Sequence, residues 1–121
     1  MTQTENPKVY DLEDRSLKFA KDVRIFVKLL PRTIANRDDT SQLIRSSGSV
    51  GANYIEANES FSKKDFVLRI KISRKEAKET RYWLKLIDVG NSSNLDNERE
   101  RLIQEVTELM KILSSIMRKS E

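Results

Sequence analysis

Hydrophobic residues recur every three or four positions in four blocks of the chain, which is the period of an amphipathic α-helix. The blocks lie at about 12–30, 40–61, 62–87 and 95–118. Pro31, the Ser62 region and the turn-forming run at 90–94 separate them. The pattern predicts an all-α fold, an up-down-up-down four-helix bundle, with residues 11–118 as a single domain and residues 1–10 as a flexible N-terminal arm.

Capping signals set the expected ends of these helices. Asp11 is the expected N-cap of the first helix, and Asp39 with Gln42 predicts a capping box for the second. Ser62 with Asp65 predicts the start of the third by the same logic. The expected core positions of the second and third helices are Leu43, Ser47, Val50, Tyr54, Ala57, Phe61, Phe66, Ile70, Ser73, Ala77, Thr80, Leu84 and Ile87.

The run SSGSVGA in the second block is poor helix-forming sequence, because each glycine costs roughly 1 kcal/mol relative to alanine in a helix interior. A loop could interrupt the helix here, or the small residues could allow a neighbouring backbone to approach closely. The apolar period continues through the run, which favours the second interpretation.

Two helices carry an apolar face beyond the one that a single bundle needs. An extra apolar stripe beside charged residues is typical of an interface, so we expect a homo-oligomer. Glu76 and Glu79 lie within one of these faces, and we expect them to pair with Arg45, Asn53 or Asn58 rather than to act in catalysis. The expected interface residues are Ile44, Gly48, Gly51, Ile55, Leu68, Ile72, Glu76, Glu79 and Trp83.

Positive charge is concentrated on the third helix. The chain carries a net charge of +4, yet residues 63–87 contain nine Lys or Arg against three Asp or Glu. This basic face either binds nucleic acid or is simply solvated, with acidic residues of the fourth helix offsetting part of its charge. The candidate nucleic-acid-binding residues are Lys71, Arg74, Lys75, Lys78, Arg81 and Lys85.

The composition argues against several function classes. The sequence contains neither cysteine nor histidine, which removes thiolate zinc sites and the common Ser-His and Cys-His nucleophile pairs. No apolar run approaches the length of a transmembrane helix. We therefore expect a cytoplasmic protein that is not an enzyme, has no cofactor or metal and makes no membrane contact.

Two central motifs, QLIRSSGSVGANYIEAN and KISRKEAKETRYWLKLI, carry a resemblance to a known bacterial family. The chain resembles the four-helix-bundle proteins encoded within intervening sequences of 23S ribosomal RNA genes, over about residues 12–118. The resemblance implies a ring-like homopentamer of unsettled role. It also resembles the accessory proteins of diversity-generating retroelements, which implies RNA or DNA and a reverse transcriptase as partners.

These observations predict a self-assembling helical bundle that associates with RNA, DNA or a nucleic-acid enzyme through the basic face. The alternative is a structural or protein-docking oligomer with no nucleic-acid role. Salt-dependent binding would distinguish the two, because phosphate contacts weaken steeply with salt.

Overall fold

The computed structural model describes residues 12–121, and every helix that it contains there matches one hydrophobic block. Helix α1 spans Leu12–Lys28, α2 spans Ile34–Asn58, α3 spans Lys63–Leu86 and α4 spans Ser93–Ser120. No strand occurs among these residues, which confirms the all-α prediction. The expected arm at 1–10 and the Asp11 cap lie outside the described residues.

The helices pack as a closed square. Each helix contacts the next one in sequence, and α1 also contacts α4, whereas neither diagonal pair does within the described region. Neighbouring helices are antiparallel. Between α3 and α4, for example, Arg74 contacts Ser114, and Arg81, further along α3, contacts Thr107, earlier on α4. This is the up-down-up-down arrangement that four blocks and short connections predict.

The core comes from the predicted faces, with one exception. Leu43, Val50, Ile70 and Leu84 are almost completely buried. Phe61, expected in the core, is fully exposed, because α2 ends at Asn58 and the helical period no longer sets its direction. The other large side chains at the centre of the bundle include Phe19, Val23, Phe26, Ile87, Leu102, Val106, Leu109 and Leu113.

Helix α2 begins two turns earlier than the sequence predicts. Its N-cap is Thr33, whose side chain accepts a hydrogen bond from the Asn36 N–H at 3.0 Å, so the expected Asp39 capping box is wrong. The first two turns are mostly polar, so they lack the apolar period that predicts a helix. The predicted cap of α3 is confirmed, since the Ser62 hydroxyl accepts from the Asp65 N–H at 3.0 Å.

The small-residue run is continuous helix, which confirms the favoured interpretation. Its small residues allow both α1 and α3 to pack closely against α2. The Ser73 hydroxyl of α3 donates to the Val50 carbonyl oxygen at 2.7 Å. On the other side, a Cβ added at Gly51 would lie 2.7 Å from the Ser16 Oγ of α1, closer than real contacts allow. The glycine therefore permits α1 and α2 to pack at this point.

Ion pairs join α1 to α4 on the outside of the bundle. Arg15 donates two hydrogen bonds to Glu105, at 2.7 and 3.0 Å, and Asp22 accepts from Arg101 at 3.0 Å. Partial burial tends to raise the pKa of Asp22, but hydrogen bonds from Lys18 and Arg101 lower it overall. None of the helices in residues 12–121 is long and apolar enough to cross a bilayer.

Candidate nucleic-acid interface

The six basic candidates on α3 form one continuous arc on the surface of the bundle. Successive members are three or four residues apart or adjacent, which places them on one side of a helix at 3.6 residues per turn. Lys71, Lys75, Lys78 and Lys85 are exposed, whereas Arg74 and Arg81 are half-buried. The arc begins at the junction with α4 and extends outward to Lys75.

The two arginines lie at the edge of the arc that contacts α4. A guanidinium N–H of Arg74 donates to Ser114 Oγ at 3.5 Å, and one of Arg81 donates to Thr107 Oγ1 at 3.4 Å. Both acceptors are neutral hydroxyls, and both distances are longer than the usual N–H···O range, so these bonds are weak. These contacts orient the arginines without neutralising their charge.

The acidic residues of α4 do not offset the arc in the described structure. Glu105 pairs with Arg15, Glu98 pairs with Arg101, and Glu108 accepts from Gln104. Lys71 is the one arc residue with an ion-pair partner there, at 4.0 Å from the exposed Glu121. Within the described residues, no ion pair therefore joins the acidic residues of α4 to the arc.

Glu76 and Glu79 lie away from the arc, on the side of α3 that faces α2. Arg45 donates from one nitrogen to Glu76 at 3.3 Å and from the other to Glu79 at 3.0 Å. One guanidinium thus holds two neighbouring carboxylates that would otherwise repel each other. Of the three expected partners, Arg45 makes this contact, and the arrangement is an interhelical ion pair.

The apolar stripe on α3 is only partly covered by its own bundle. Leu68 and Leu86 are about half exposed, at 53% and 49%, and Ile72 and Trp83 are half-buried. The indole N–H of Trp83 is buried and is the one buried side-chain polar atom in the described residues without a hydrogen-bond partner. Tyr82 packs edge-on against the indole, with ring centroids 5.0 Å apart.

The second expected interface face, on α2, is shared with α1 of the same chain. Gly48 and Gly51 face Arg24 and Ser16, which accounts for both glycines within one bundle. Ile44 is half-buried and Ile55 is about half exposed. Because α1 of the same chain already packs on this face, its small residues do not require contact with a second copy of the protein.

Asn36 is a structurally important residue that the sequence analysis missed. It is 3% exposed, and its side-chain amide donates to the carbonyl oxygens of Pro31 and Asp88 at 3.0 and 2.8 Å. Its side-chain oxygen accepts from the Asp88 N–H at 3.0 Å. The amide joins the α1–α2 connection to the α3–α4 connection, 52 residues apart, and no local pattern signals such a partner.

The fold and its charge distribution define a small antiparallel four-helix bundle with a basic arc along its third helix. The family model described as 23S rRNA-intervening sequence protein matches residues 8–115, and the chain belongs to this family.

A solved structure with a similar fold comes from Bacteroides thetaiotaomicron VPI-5482. It is described as a protein with unknown function from the S23 ribosomal protein family. The two chains share 33% sequence identity with a TM-score of 0.74, over 88% of this chain and 97% of that one. No curated protein matches the chain.

Proposed function

We propose that this protein is a non-enzymatic, self-assembling bundle that binds RNA or DNA in the cytoplasm through the basic arc of α3. The observation that carries the proposal is the uncompensated charge of the arc. Six cations lie within four turns of one helix, and only Lys71 of the six has an ion-pair partner among the described residues, the exposed Glu121. Such a stripe attracts phosphate backbones regardless of base sequence.

Like-charged neighbours on α3 support a role for the arc beyond solvation. Arg74 with Lys78, Lys71 with Lys75, and Arg81 with Lys85 are each four residues apart. Each such pair destabilises an isolated helix by roughly 0.2–0.5 kcal/mol. A polyanion lying along the helix would offset this repulsion, whereas solvation alone leaves it in place.

Binding by phosphate contacts has a characteristic dependence on salt. We expect a fluorescein-labelled, mixed-sequence RNA to bind at 50 mM salt and to dissociate on addition of salt, with a log–log slope near −0.7 to −0.9 for each phosphate neutralised. Fluorescence polarisation over a salt series measures the slope. Binding that does not change with salt, or no binding at low salt to RNA or DNA, would contradict the proposal.

Self-assembly is the second part of the proposal, with five copies in a ring as the stoichiometry that the family resemblance implies. It is supported by the exposed apolar stripe on α3, where Leu68 and Leu86 are about half exposed, because a second copy could cover them. Repetition of the arc around a ring would let weak contacts act together. A reverse transcriptase is a further partner that the retroelement resemblance implies.

Light scattering tests assembly directly. We expect a mass of several chains at micromolar concentration, where one chain is 14.1 kDa. Changing the exposed Leu68 and Leu86 to lysine should lower the mass toward one chain, since charged residues are disfavoured at the centre of an interface. Changing Ile25 and Ile34, which are also exposed but lie elsewhere, is the matched control. A one-chain mass for the parent would contradict assembly.

The alternative function is a structural or protein-docking oligomer whose arc is only solvated. The observation that favours it is the same apolar stripe on α3, which lies beside the arc and needs no nucleic acid to be covered. A parent protein that assembles but binds neither RNA nor DNA at low salt would establish this alternative.

A further inference from the structure

An open groove runs along the surface where α3 meets α4. It is lined by Arg81 from α3 and by five residues of α4: Thr107, Met110, Lys111, Ser114 and Arg118. The α4 residues are spaced by three, one, three and four positions, so they form one side of that helix.

Both sides of the groove carry positive charge. Lys111 and Arg118 are exposed, and neither has an ion-pair partner within residues 12–121. Across the groove lie the half-buried Arg74 and Arg81, whose contacts to α4 are to Ser114 and Thr107 hydroxyls. A guanidinium has five N–H donors, so both arginines keep donors for an incoming anion.

We propose that Lys111 and Arg118 form a second row of phosphate contacts opposite the basic arc, and that the groove binds the backbone of single-stranded nucleic acid. The inference rests on the proposed function and makes its ligand specific. It moves the centre of binding from the outer side of α3 to the groove between two helices, with Met110 offering an apolar contact to a sugar or base.

The shape of the groove favours a single strand over a duplex. Packed helices have axes about 8–10 Å apart, so the space between their side chains is narrow. Arg74 and Arg81 are recessed in that space, where a flexible strand can insert its phosphates and the wide cylinder of a duplex cannot. From Lys71 to Lys85 the arc extends about 21 Å, at ~1.5 Å per residue. This length spans about six phosphates at the ~3.4 Å spacing of one strand in B-DNA, and fewer phosphates of an extended single strand.

The test compares two double charge reversals of equal size. Lys111→Glu with Arg118→Glu changes the proposed second row, and Lys28→Glu with Lys119→Glu changes two exposed cations elsewhere. Lys119 adjoins Arg118 but lies about 100° further around the helix. The probes are a labelled twelve-nucleotide oligothymidylate and a labelled duplex of twelve base pairs, measured by fluorescence polarisation at 50 mM salt.

We expect the groove variant to bind the oligothymidylate at least about tenfold more weakly, with a salt slope shallower by about 1.4 for two lost contacts to a single strand. The control should change affinity less than threefold, and the parent should prefer the single strand to the duplex. Circular dichroism and light scattering on both variants show whether fold and assembly are kept.

The outcomes separate this inference from the function on which it rests. No binding by the parent to the oligothymidylate overturns this inference, and no binding to either probe or to the mixed-sequence RNA at 50 mM salt overturns the function as well. If the parent binds and the groove variant binds equally well, the arc remains the site and the second row is wrong. If the groove variant loses binding but the parent binds duplex as tightly as single strand, the assignment to single strands is wrong.

Discussion

Nucleic-acid binding should be lost when Arg74, Lys78 and Arg81 are changed together to glutamate. The three substitutions convert the centre of the arc from positive to negative, a change of six charges. Removing three phosphate contacts should make the salt slope shallower by roughly 2.1–2.7, and the new carboxylates repel phosphate, so affinity should fall at least about 100-fold at low salt.

The fold should tolerate this change. The hydrogen bonds of Arg74 and Arg81 to α4 are long and go to hydroxyls, and Lys78 is exposed. A glutamate at position 81 would lie four residues before Lys85, which is a favourable order on a helix. Helicity and oligomeric mass should therefore match the parent, and circular dichroism with light scattering measures both.

The matched control reverses three exposed cations outside the arc: Lys21, Lys28 and Lys119. It has the same net charge as the arc variant, so it accounts for any general effect of charge on association. Filter binding or fluorescence polarisation should show strong binding by this control. If the arc variant binds as well as the parent, another surface is responsible and the six candidate residues are the wrong ones.

Replacing Asn36 with alanine should be the most destabilising single change of a polar residue. It would leave the Pro31 and Asp88 carbonyl oxygens and the Asp88 N–H without their partner at a buried position. A buried polar group left unpaired costs about 1–3 kcal/mol, and solvent can reach part of this junction, so we expect a total of about 2–3 kcal/mol. The Tm should fall by roughly 8–12 °C.

The control for this prediction is Asn53→Ala on the same helix. Asn53 is half-buried, and its amide donates to Ser49 within α2, with a long bond from Arg69 to its oxygen at 3.5 Å. Its removal should cost less than about 1 kcal/mol, because its short bonds lie within α2 and its one bond to another helix is long. Both variants are melted at one protein concentration, since assembly makes Tm concentration-dependent. A Tm of Asn36→Ala equal to that of the control would show that the two connections are held by other contacts.

Features that depend on local spacing could be predicted well from the sequence. The core side, the apolar stripe and the basic arc of α3 are examples, because helical geometry alone decides which residues share a side. The seam from Ile70 to Ile87 is buried and the lysines of the arc are exposed, as predicted. The Ser62 cap also followed from spacing, and the unmatched charge of Glu76 and Glu79 predicted a structural partner, which the structure shows to be Arg45 among the three candidates.

Features that depend on distant residues could not be predicted. The start of α2 was placed at position 40 because its first two turns have no apolar period, yet Asn36 is buried through bonds to a connection 52 residues away. Phe61 satisfied the period but lies beyond the end of the helix. In both cases the outcome depends on where α2 begins or ends, which its own apolar period does not show.

By itself, the sequence determined the helix count, the core seams, the basic arc and the family, because each is encoded in local periodicity or in motifs. Only the tertiary structure decided how the surfaces combine. It packed Gly51 against Ser16 of the same chain, and it paired Glu105 of α4 with Arg15 of α1. It also placed Lys111 and Arg118 across a groove from Arg74 and Arg81. The physical reason is that periodicity fixes a residue's direction around its own helix, whereas packing fixes which helix it faces.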